Sequence, residues 1–299
     1  MNNKPARGGE RKGSNMRKFI LLAESGADVP PELAKRYQIK IVPMHVSFGD
    51  NIKDDMSFGP EELFAFYSKT GILPKTSGCN PEDFIKVFDE IHQTFPDSHI
   101  IHLAYSAVTT CSYQSALIAA QDRDYITSID TKSVSAGQSM VVLGVARFIE
   151  ENEDCTLEDV IKEADNLISR VHMGFFPGDL DYLRAGGRVS NAAYLGAKIL
   201  GIKPLIEIND GRLMAAKKYR GKMLSVAQKF LREYAENHNL EKERVALIYA
   251  AGLDEHIMET AFTIAQDIGF REILWIQTGC VVSSHSGPGG FGIAGFSEK

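Results

Sequence analysis

Short apolar runs alternate with amphipathic segments along the first half of the chain. Residues 18–23, 100–104 and 125–129 are apolar over the length of a buried parallel strand. The segments between them have helical spacing, and one begins at Asn80-Pro81, where asparagine caps a helix and proline is accepted at its first position. The repeated strand–helix units predict a three-layer α/β domain with helices on both faces of a parallel sheet.

The second half of the chain has a different pattern. Residues 204–208 and 212–219 are strand-like, and Asn209-Asp210-Gly211 between them is typical of a tight hairpin turn. Antiparallel pairing of this kind predicts a mixed sheet in a two-layer α/β domain, completed by amphipathic helices. We therefore expect a disordered leader at residues 1–15, an N-terminal domain at 16–168 and a C-terminal domain at 169–299.

The composition is that of an ordinary soluble globular protein. Of the 299 residues, 44% are hydrophobic and 24% are charged, and no apolar run approaches the ~20 residues of a membrane-spanning helix. The four cysteines have neither CxxC nor metal-ligand spacing, so we expect free thiols and a cytoplasmic location. A net charge of −6 argues against a nucleic-acid partner.

One segment departs from this acidic balance. Residues 184–222 contain nine lysines and arginines, with only Glu207 and Asp210 as acids, so the local charge is +7. Such a segment is either a solvated face or a docking surface for an acidic partner or a phosphate-bearing ligand. We call it the basic segment.

Two hydroxyl-rich clusters lie at predicted helix starts. Thr76 and Ser77 precede the helix that Asn80 caps, and Thr110-Cys111-Ser112 opens another helix. Hydroxyl groups beside the free N–H groups of a helix start suit a carboxylate or a phosphate. The alternative is that each hydroxyl only caps its own helix.

A histidine near the C-terminus adds to this pattern. His285 lies in the glycine-rich stretch 283–292, for which we expect a loop that brings the ring and bare backbone N–H groups close to a ligand. Catalytic templates fit poorly, since the chain has no GxSxG, GxxxxGK[ST] or HExxH motif. A triad of Ser112, His285 and Asp130 could be composed, but residue types alone support it weakly.

An ordered series of motifs extends from about residue 19 to residue 293. The motifs are Glu24-Ser25-Gly26-Ala27-Asp28, Pro74-Lys75-Thr76-Ser77, Tyr113-Gln114-Ser115-Ala116, Asp130-Thr131-Lys132-Ser133-Val134-Ser135, Leu183-Arg184-Ala185-Gly186-Gly187-Arg188-Val189-Ser190, Ile202-Lys203-Pro204, Asn209-Asp210-Gly211, Tyr219-Arg220-Gly221-Lys222 and His285-Ser286-Gly287-Pro288-Gly289. With this series the chain resembles the DegV family of bacterial fatty-acid-binding proteins, which includes the FakB-type carriers. One motif would be weak evidence, whereas the whole series at appropriate spacing is specific.

The resemblance implies a two-domain carrier that buries a long-chain fatty acid in an apolar tunnel. It implies no catalytic residue, no metal and no cofactor besides the bound fatty acid. A phosphotransferase related to dihydroxyacetone kinase and a serine hydrolase that uses Ser112 or Ser77 with His285 are the alternatives. The expected ligand-binding residues are Thr76, Ser77, Thr110 and His285, which match the family's carboxylate-holding positions, together with the adjoining Cys111, Ser112 and Gly287.

The resemblance also implies a protein partner. A separate fatty acid kinase is expected to phosphorylate the bound carboxylate, and the basic segment is the expected docking surface. Transient contact with a membrane surface is also compatible with such a carrier, whereas a transmembrane segment is not expected. The residues expected either to dock the kinase or to brace the loop around the ligand are Arg188, Arg220, Lys203, Lys217, Lys218 and Lys222.

Two positions depart from the family pattern. The family sequence L-S-G-T is Thr109-Thr110-Cys111-Ser112 here, so a cysteine replaces a glycine where close backbone approach is expected. Glu24 replaces the aspartate of the family's D-S-S, and its longer side chain is expected to move the polar site by about one methylene. We expect these changes to alter the preferred acyl chain more than the fold.

Tunnel-lining residues cannot be separated from core residues by sequence, because both are apolar. The candidates of either kind are Met140, Leu143, Phe175, Phe176, Leu180, Leu195, Leu200 and Phe262.

Overall fold

The structure is a computed structural model that describes residues 18–189 and 201–299. The leader expected at residues 1–15 lies outside the described residues, as do Ser190, Leu195, Lys198 and Leu200. The strands are β1 (Phe19–Glu24), β2 (Lys40–Val42), β3 (His45–Phe48), β4 (Asn51–Asp54), β5 (Lys75–Ser77), β6 (His99–Ala104), β7 (Ile126–Asp130), β8 (Val171–Phe176), β9 (Ile202–Asn209), β10 (Arg212–Arg220), β11 (Leu240–Tyr249), β12 (Glu272–Gln277) and β13 (Phe291–Ser297). The helices are α1 (Pro31–Tyr37), α2 (Pro60–Thr70), α3 (Pro81–Thr94), α4 (Ser112–Ala119), α5 (Ser135–Glu151), α6 (Leu157–Arg170), α7 (Leu180–Gly186), α8 (Met223–Asn237), α9 (Glu255–Ile268) and α10 (Cys280–Ser286), with a 3-10 turn at Ser25–Ala27.

The predicted parallel sheet is confirmed. Its strands lie in the order β2-β1-β6-β7, and every neighbouring pair is parallel. Alternate side chains of β1 point to opposite faces, so Leu21 packs in the cluster that contains Met140 of α5, whereas Leu22 packs with Phe84 and Phe88 of α3. The helices on both faces make the three layers that the sequence predicts.

The second sheet is mixed, as the hairpin signal predicts. Six strands lie in the order β10-β9-β8-β13-β11-β12, in which β11 and β12 are parallel and the other neighbours are antiparallel. One face packs on α8 and α9, where Leu247 and Ile293 meet Phe230. The opposite face, which carries Ala246 and Ala294, packs against α5 and α6. The sheet is therefore covered by helices on both faces.

A small third sheet was not predicted. Its order is β4-β3-β5, and β5 carries Thr76 and Ser77. Residues 40–48 are divided between two strands of different sheets, since β2 pairs with β1, whereas β3 pairs with β4 and β5.

Helix α5 connects the two larger sheets. Its residues 135–146 are all buried, because the helix is packed between the parallel sheet and the mixed sheet. The predicted domain boundary at 168/169 falls two residues before the end of α6 at Arg170, and it stays a prediction.

Among the described residues, no helix combines the length and the apolar character needed to cross a bilayer. All four cysteines are free: Cys111 is exposed, and Cys79, Cys155 and Cys280 are buried.

Candidate ligand-binding site

An apolar cavity lies between the carboxyl edge of the parallel sheet and the inner face of the mixed sheet. It contains about 810 Å³ of empty space, part of which is open to solvent. Its apolar lining includes Met173 and Phe175 of β8, Leu213 of β10 and Ile248 of β11. Because ligands of such folds bind beyond the carboxyl ends of parallel strands, this is the expected place for a site.

One end of the cavity is polar. Thr76, Ser77, Thr110, Arg188 and His285 form it, and we call this group the polar end. Thr76 Oγ1 lies 2.8 Å from His285 Nε2, although the two residues are 209 positions apart in the chain. The side chains of Ser77 and Arg188 are exposed, so the polar end faces solvent. The four residues expected to hold a carboxylate therefore line one cavity.

The expectation of a loop around His285 is wrong. His285 lies in the last turn of α10, and the glycine-rich stretch becomes helix, turn and then β13. Gly287 ends the helix with a φ of +70°, a left-handed value that favours glycine. Its Cα faces Asp179 and Tyr182, and Gly287 is not among the cavity-lining residues. Gly287 therefore ends α10 outside the cavity lining, and its contact with a ligand stays a prediction.

The environment of His285 keeps its ring neutral. Burial lowers the pKa of His285 to about 4, and the positive charge of Arg188 acts in the same direction. Nδ1 is buried and has no hydrogen-bond partner among the described residues, so Nε2 makes the ring's hydrogen bond to Thr76. A neutral imidazole that donates from Nε2 leaves the Thr76 hydroxyl hydrogen free to point elsewhere.

Gly186 is a site residue that the sequence analysis did not single out. A Cβ at this position would lie 2.1 Å from Nδ1 of His285, so the absence of a side chain lets the ring occupy its place. Arg188 Nη1 donates a hydrogen bond of 2.6 Å to the carbonyl oxygen of Gly186, which braces the same turn. The sequence signal that could have indicated Gly186 is the Gly186-Gly187-Arg188 motif, because a glycine at a helix end can mark a place where another side chain approaches the backbone closely.

Gly78 is a second glycine whose lack of a side chain leaves room for site residues, here the hydroxyl groups of Thr110 and Ser112. A Cβ at Gly78 would lie 2.2 Å from Thr110 Oγ1 and 2.5 Å from Ser112 Oγ. Ser112 is fully buried, and its Oγ accepts a hydrogen bond from Cys79 N at 3.0 Å, so it joins two segments of the chain rather than lining the cavity.

Cys111 is exposed, does not line the cavity and has ordinary helical backbone angles, with φ of −80° and ψ of −3°. The cysteine therefore causes no backbone strain where the family has glycine.

The comparisons with known proteins agree with one another. The model of the DegV family, described as a family of uncharacterised proteins, matches residues 18–298. The chain belongs to the DegV family. The two-domain α/β class expected from the resemblance is confirmed by the structures that it matches.

Several similar DegV proteins are described as fatty-acid-binding proteins. The Fatty acid-binding protein of Thermotoga maritima is 27% identical over 289 residues, which cover 94% of this chain and 99% of that protein. A DegV family structure from Thermus thermophilus, described by its fatty acid binding, has a TM-score of 0.84 at 28% identity and covers 94% of this chain and 100% of its own. A stearic acid-binding protein of Eubacterium ventriosum has a TM-score of 0.77 at 25% identity, with coverage of 94% and 98%.

Glu24, which replaces the family's aspartate, is buried and lies outside the cavity lining. Glu24 is fully buried and accepts hydrogen bonds from Tyr105 N at 2.8 Å and from Gln138 Nε2 at 3.0 Å. Burial alone would raise the pKa of Glu24, but His102 at 3.3 Å and the backbone N–H of Tyr105 bring the pKa below its usual value. Glu24 does not line the cavity, so its extra methylene reaches the site only through Tyr105, which does.

The composed hydrolase triad is not assembled. His285 contacts Thr76, and Ser112 contacts Cys79. Asp130 accepts hydrogen bonds from Ala107 N at 3.2 Å and from Lys132 N at 2.9 Å. Among the described residues, no group of three or more His, Cys, Asp or Glu side chains has the arrangement of a metal site.

The basic segment divides into two parts. Arg188 belongs to the polar end, where its bond to Gly186 fits the loop-bracing alternative. Lys217 Nζ lies 3.0 Å from Glu233 of α8, so this docking candidate has an ion-pair partner within the chain. The other candidates are exposed or half-buried on β9, on β10 or just before α8: Lys203, Lys218, Arg220 and Lys222.

The structure shows which of the apolar candidate residues line the cavity and which belong to the core. Of the apolar candidates, Phe175 lines the cavity, whereas Met140, Leu143 and Phe176 belong to the packed core. Phe262 is 37% exposed on α9.

Proposed function

We propose that this DegV protein binds a long-chain fatty acid in the cavity, with the carboxylate at the polar end. The observation that carries the proposal is an apolar cavity whose polar end has three hydroxyl-bearing residues, a histidine and an arginine. An amphipathic ligand with one anionic end matches this distribution. The relatives that bind fatty acids support the same ligand class.

The carboxylate is held by donors rather than by a protonated histidine. Neutral His285 donates to Thr76 Oγ1, which directs the Thr76 hydroxyl hydrogen to the ligand, and Ser77 and Thr110 supply further hydroxyls. Arg188 supplies the positive charge at the solvent-facing side. Each hydrogen bond to a charged group contributes about 1.5–3 kcal/mol.

Mass spectrometry of an organic extract of the natively purified protein tests the ligand class. We expect a long-chain fatty acid in stoichiometric amount, and re-binding of that acid to the stripped protein. His285→Ala and Thr110→Val should each weaken binding roughly ten- to a hundredfold, since each removes a carboxylate contact or its support. Wild-type affinity in both variants would contradict the proposed polar end.

The second part of the proposal is presentation of the carboxylate to a separate fatty acid kinase. Its support is that Ser77 and Arg188 are exposed, so the carboxylate lies at the open end of the cavity and a second protein can reach it. The basic segment would steer an acidic partner toward that end. A cytoplasmic location stays a prediction from the cysteine pattern, and transient contact with a membrane surface stays a prediction from the resemblance.

Charge reversal separates docking from ligand binding. Lys218→Glu with Lys222→Glu should slow acyl-phosphate formation by a purified fatty acid kinase and ATP, with unchanged fatty-acid affinity. The matched control is Lys69→Glu with Lys86→Glu, exposed positions outside the basic segment that change the net charge equally. High salt should slow wild type toward the rate of the first variant. Equal rates for wild type and the first variant at low and high salt would rule out this surface.

A further inference from the structure

Two buried carboxylates lie at the start of α10, the helix end opposite to His285. Asp28 follows the Ser25–Ala27 turn and is 8% exposed, and Asp55 follows β4 and is 2% exposed. Neither is among the residues that line the cavity. A buried carboxylate is costly unless it is hydrogen-bonded, so the partners of this pair indicate its role.

Each carboxylate accepts a hydrogen bond from a backbone N–H group at the start of α10. Asp28 Oδ1 accepts from Gly279 N at 2.7 Å, and Asp55 Oδ1 accepts from Cys280 N at 3.0 Å. These N–H groups have no acceptor within the helix, and the helix start carries partial positive charge, so both contacts are favourable. Because α10 has only seven residues, its position depends on contacts outside the helix.

The remaining oxygens connect α10 to the parallel-sheet half of the protein. Asp28 Oδ2 accepts a hydrogen bond from the hydroxyl of Ser135, the first residue of α5. Asp55 Oδ2 accepts from Ser25 Oγ at 2.8 Å, and Ser25 Oγ in turn accepts from Met44 N at 3.0 Å. The start of α10 is thus held from three separate segments that precede it by more than 140 residues.

The opposite end of the same helix carries the proposed site. His285 lies in the last turn, 2.8 Å from Thr76, and a seven-residue helix is only roughly 10 Å long, so a displacement of one end moves the other. We propose that Asp28 and Asp55 are positioning residues for the carboxylate site, holding α10 so that its last turn presents His285 to Thr76. The positioning of His285 is independent of the proposed function, whereas the effect of this positioning on ligand affinity rests on it.

Asp28 and Asp55 also make the position of α10 sensitive to pH. A Cβ at Gly279 would lie 3.1 Å from Asp28 Oδ1 and 3.5 Å from both oxygens of Asp55, so the two carboxylates face each other across this glycine. Burial raises the pKa of Asp28 to about 8, with a further contribution from Asp55, and burial also raises the pKa of Asp55. The other titratable or charged groups around the pair are Glu24, Glu61, Glu62, Tyr105, Cys280 and, beside Tyr105, Arg188.

The direction of the pH effect follows from the raised pKa. The folded protein binds the Asp28 proton more tightly than the unfolded chain, so this contribution to stability falls as pH rises from the ordinary aspartate value of 3.8 through about 8. At neutral pH the pair retains a proton and can hold α10. At alkaline pH two facing anions repel each other, the start of α10 shifts, and fatty-acid affinity should decrease.

Aspartate variants test the inference with palmitate as the probe. Asp28→Ala and Asp55→Ala should each weaken palmitate binding about tenfold at neutral pH, and they should shift the imidazole nitrogen NMR signals of ligand-free His285. Asp28→Asn keeps an oxygen acceptor for Gly279 and resembles the protonated acid. It should therefore bind palmitate within about twofold of wild type and lose the alkaline decrease in affinity.

Asp159→Ala is the matched control. Asp159 Oδ2 accepts a hydrogen bond from Thr156 N at 2.8 Å at the start of α6, and neither residue lines the cavity. This variant should lower the midpoint of thermal unfolding and leave palmitate affinity and the His285 signals unchanged.

The two readouts separate this inference from the proposed function. If wild type fails to bind palmitate and other long-chain acids, the proposed function fails, while the His285 signals of the ligand-free variants still decide the positioning role. Unchanged His285 signals in folded Asp28→Ala and Asp55→Ala overturn the inference. If the alanine variants do not fold, Asp28→Asn decides it: an alkaline decrease identical to that of wild type overturns the inference, and its loss supports it.

Discussion

Replacing Gly186 with alanine tests whether ligand affinity depends on the position of the His285 ring. The added Cβ would lie 2.1 Å from Nδ1 and 2.9 Å from Cε1 of His285, whereas heavy atoms in contact are about 3.5 Å apart. On the other side of the ring, Nε2 is 2.8 Å from Thr76 Oγ1. The ring has no room to retreat along this line, so it has to rotate out of the site.

The expected loss follows from the hydrogen bond that rotation breaks. Without its partner His285, the Thr76 hydroxyl is no longer directed to the carboxylate, which costs about 1.5–3 kcal/mol, or roughly ten- to a hundredfold in affinity. The fold should lose little stability. Gly186 is the last residue of α7 and does not have a left-handed backbone, and alanine favours a helix over glycine by about 0.5–1 kcal/mol.

Isothermal titration with palmitate and thermal unfolding measure the two effects. The neighbouring Gly187→Ala is the control, since Gly187 has a φ of +62° and its added Cβ would have no atom of the described residues within 4 Å. It should lower stability by about 1–2 kcal/mol through left-handed strain and leave the affinity unchanged. Wild-type affinity in Gly186→Ala would refute the argument that Gly186 positions His285.

Affinity should rise about tenfold for each two carbons added to the fatty acid, since a buried CH₂ contributes about 0.8 kcal/mol, until the cavity is full. Titration of a series of saturated acids measures this, and a flat dependence would mean that only the carboxylate is recognised. His45 lies 2.9 Å from both Asp54 and Asp83; burial lowers the pKa of His45, but these carboxylates more than compensate and raise it above 6.5. The folded protein holds this proton more tightly, so the stabilisation is complete below pH 6.5 and is lost as pH rises through the raised pKa. Thermal unfolding of wild type and His45→Gln should therefore differ most at low pH, and a difference independent of pH would contradict this account.

Locally encoded elements agree with their sequence predictions. Helix α3 begins where Asn80 and Asp83 exchange hydrogen bonds in a capping box, a contact between residues three positions apart. The hairpin of β9 and β10 likewise turns at Asp210, whose left-handed backbone suits the Asn-Asp-Gly sequence. Both signals are contained in a few consecutive residues, so neither depends on the rest of the fold.

The C-terminal segment shows the opposite case. Strand β13 has the sequence FGIAGFS, whose glycines are unfavourable for an isolated strand, yet it lies in the middle of the mixed sheet between β8 and β11. Gly292 is required there because a Cβ would lie 2.7 Å from Gly174 O and from Phe175 Cβ. Only the neighbouring strand explains the glycine, so the loop expected at residues 283–292 included the first two residues of β13, and no strand was predicted there.

The sequence by itself determined the α/β class, the parallel and mixed sheets, the family resemblance and the residue types of the polar end. These depend on periodicity, capping and short motifs, which act over a few residues. The tertiary structure alone decided that His285 lies on a helix, that Gly186 and Thr76 confine its ring, and that Asp28 and Asp55 hold the far end of that helix. Those contacts join residues about 100 to 250 positions apart, and burial changes their ionisation, so their geometry exists only once the chain is folded.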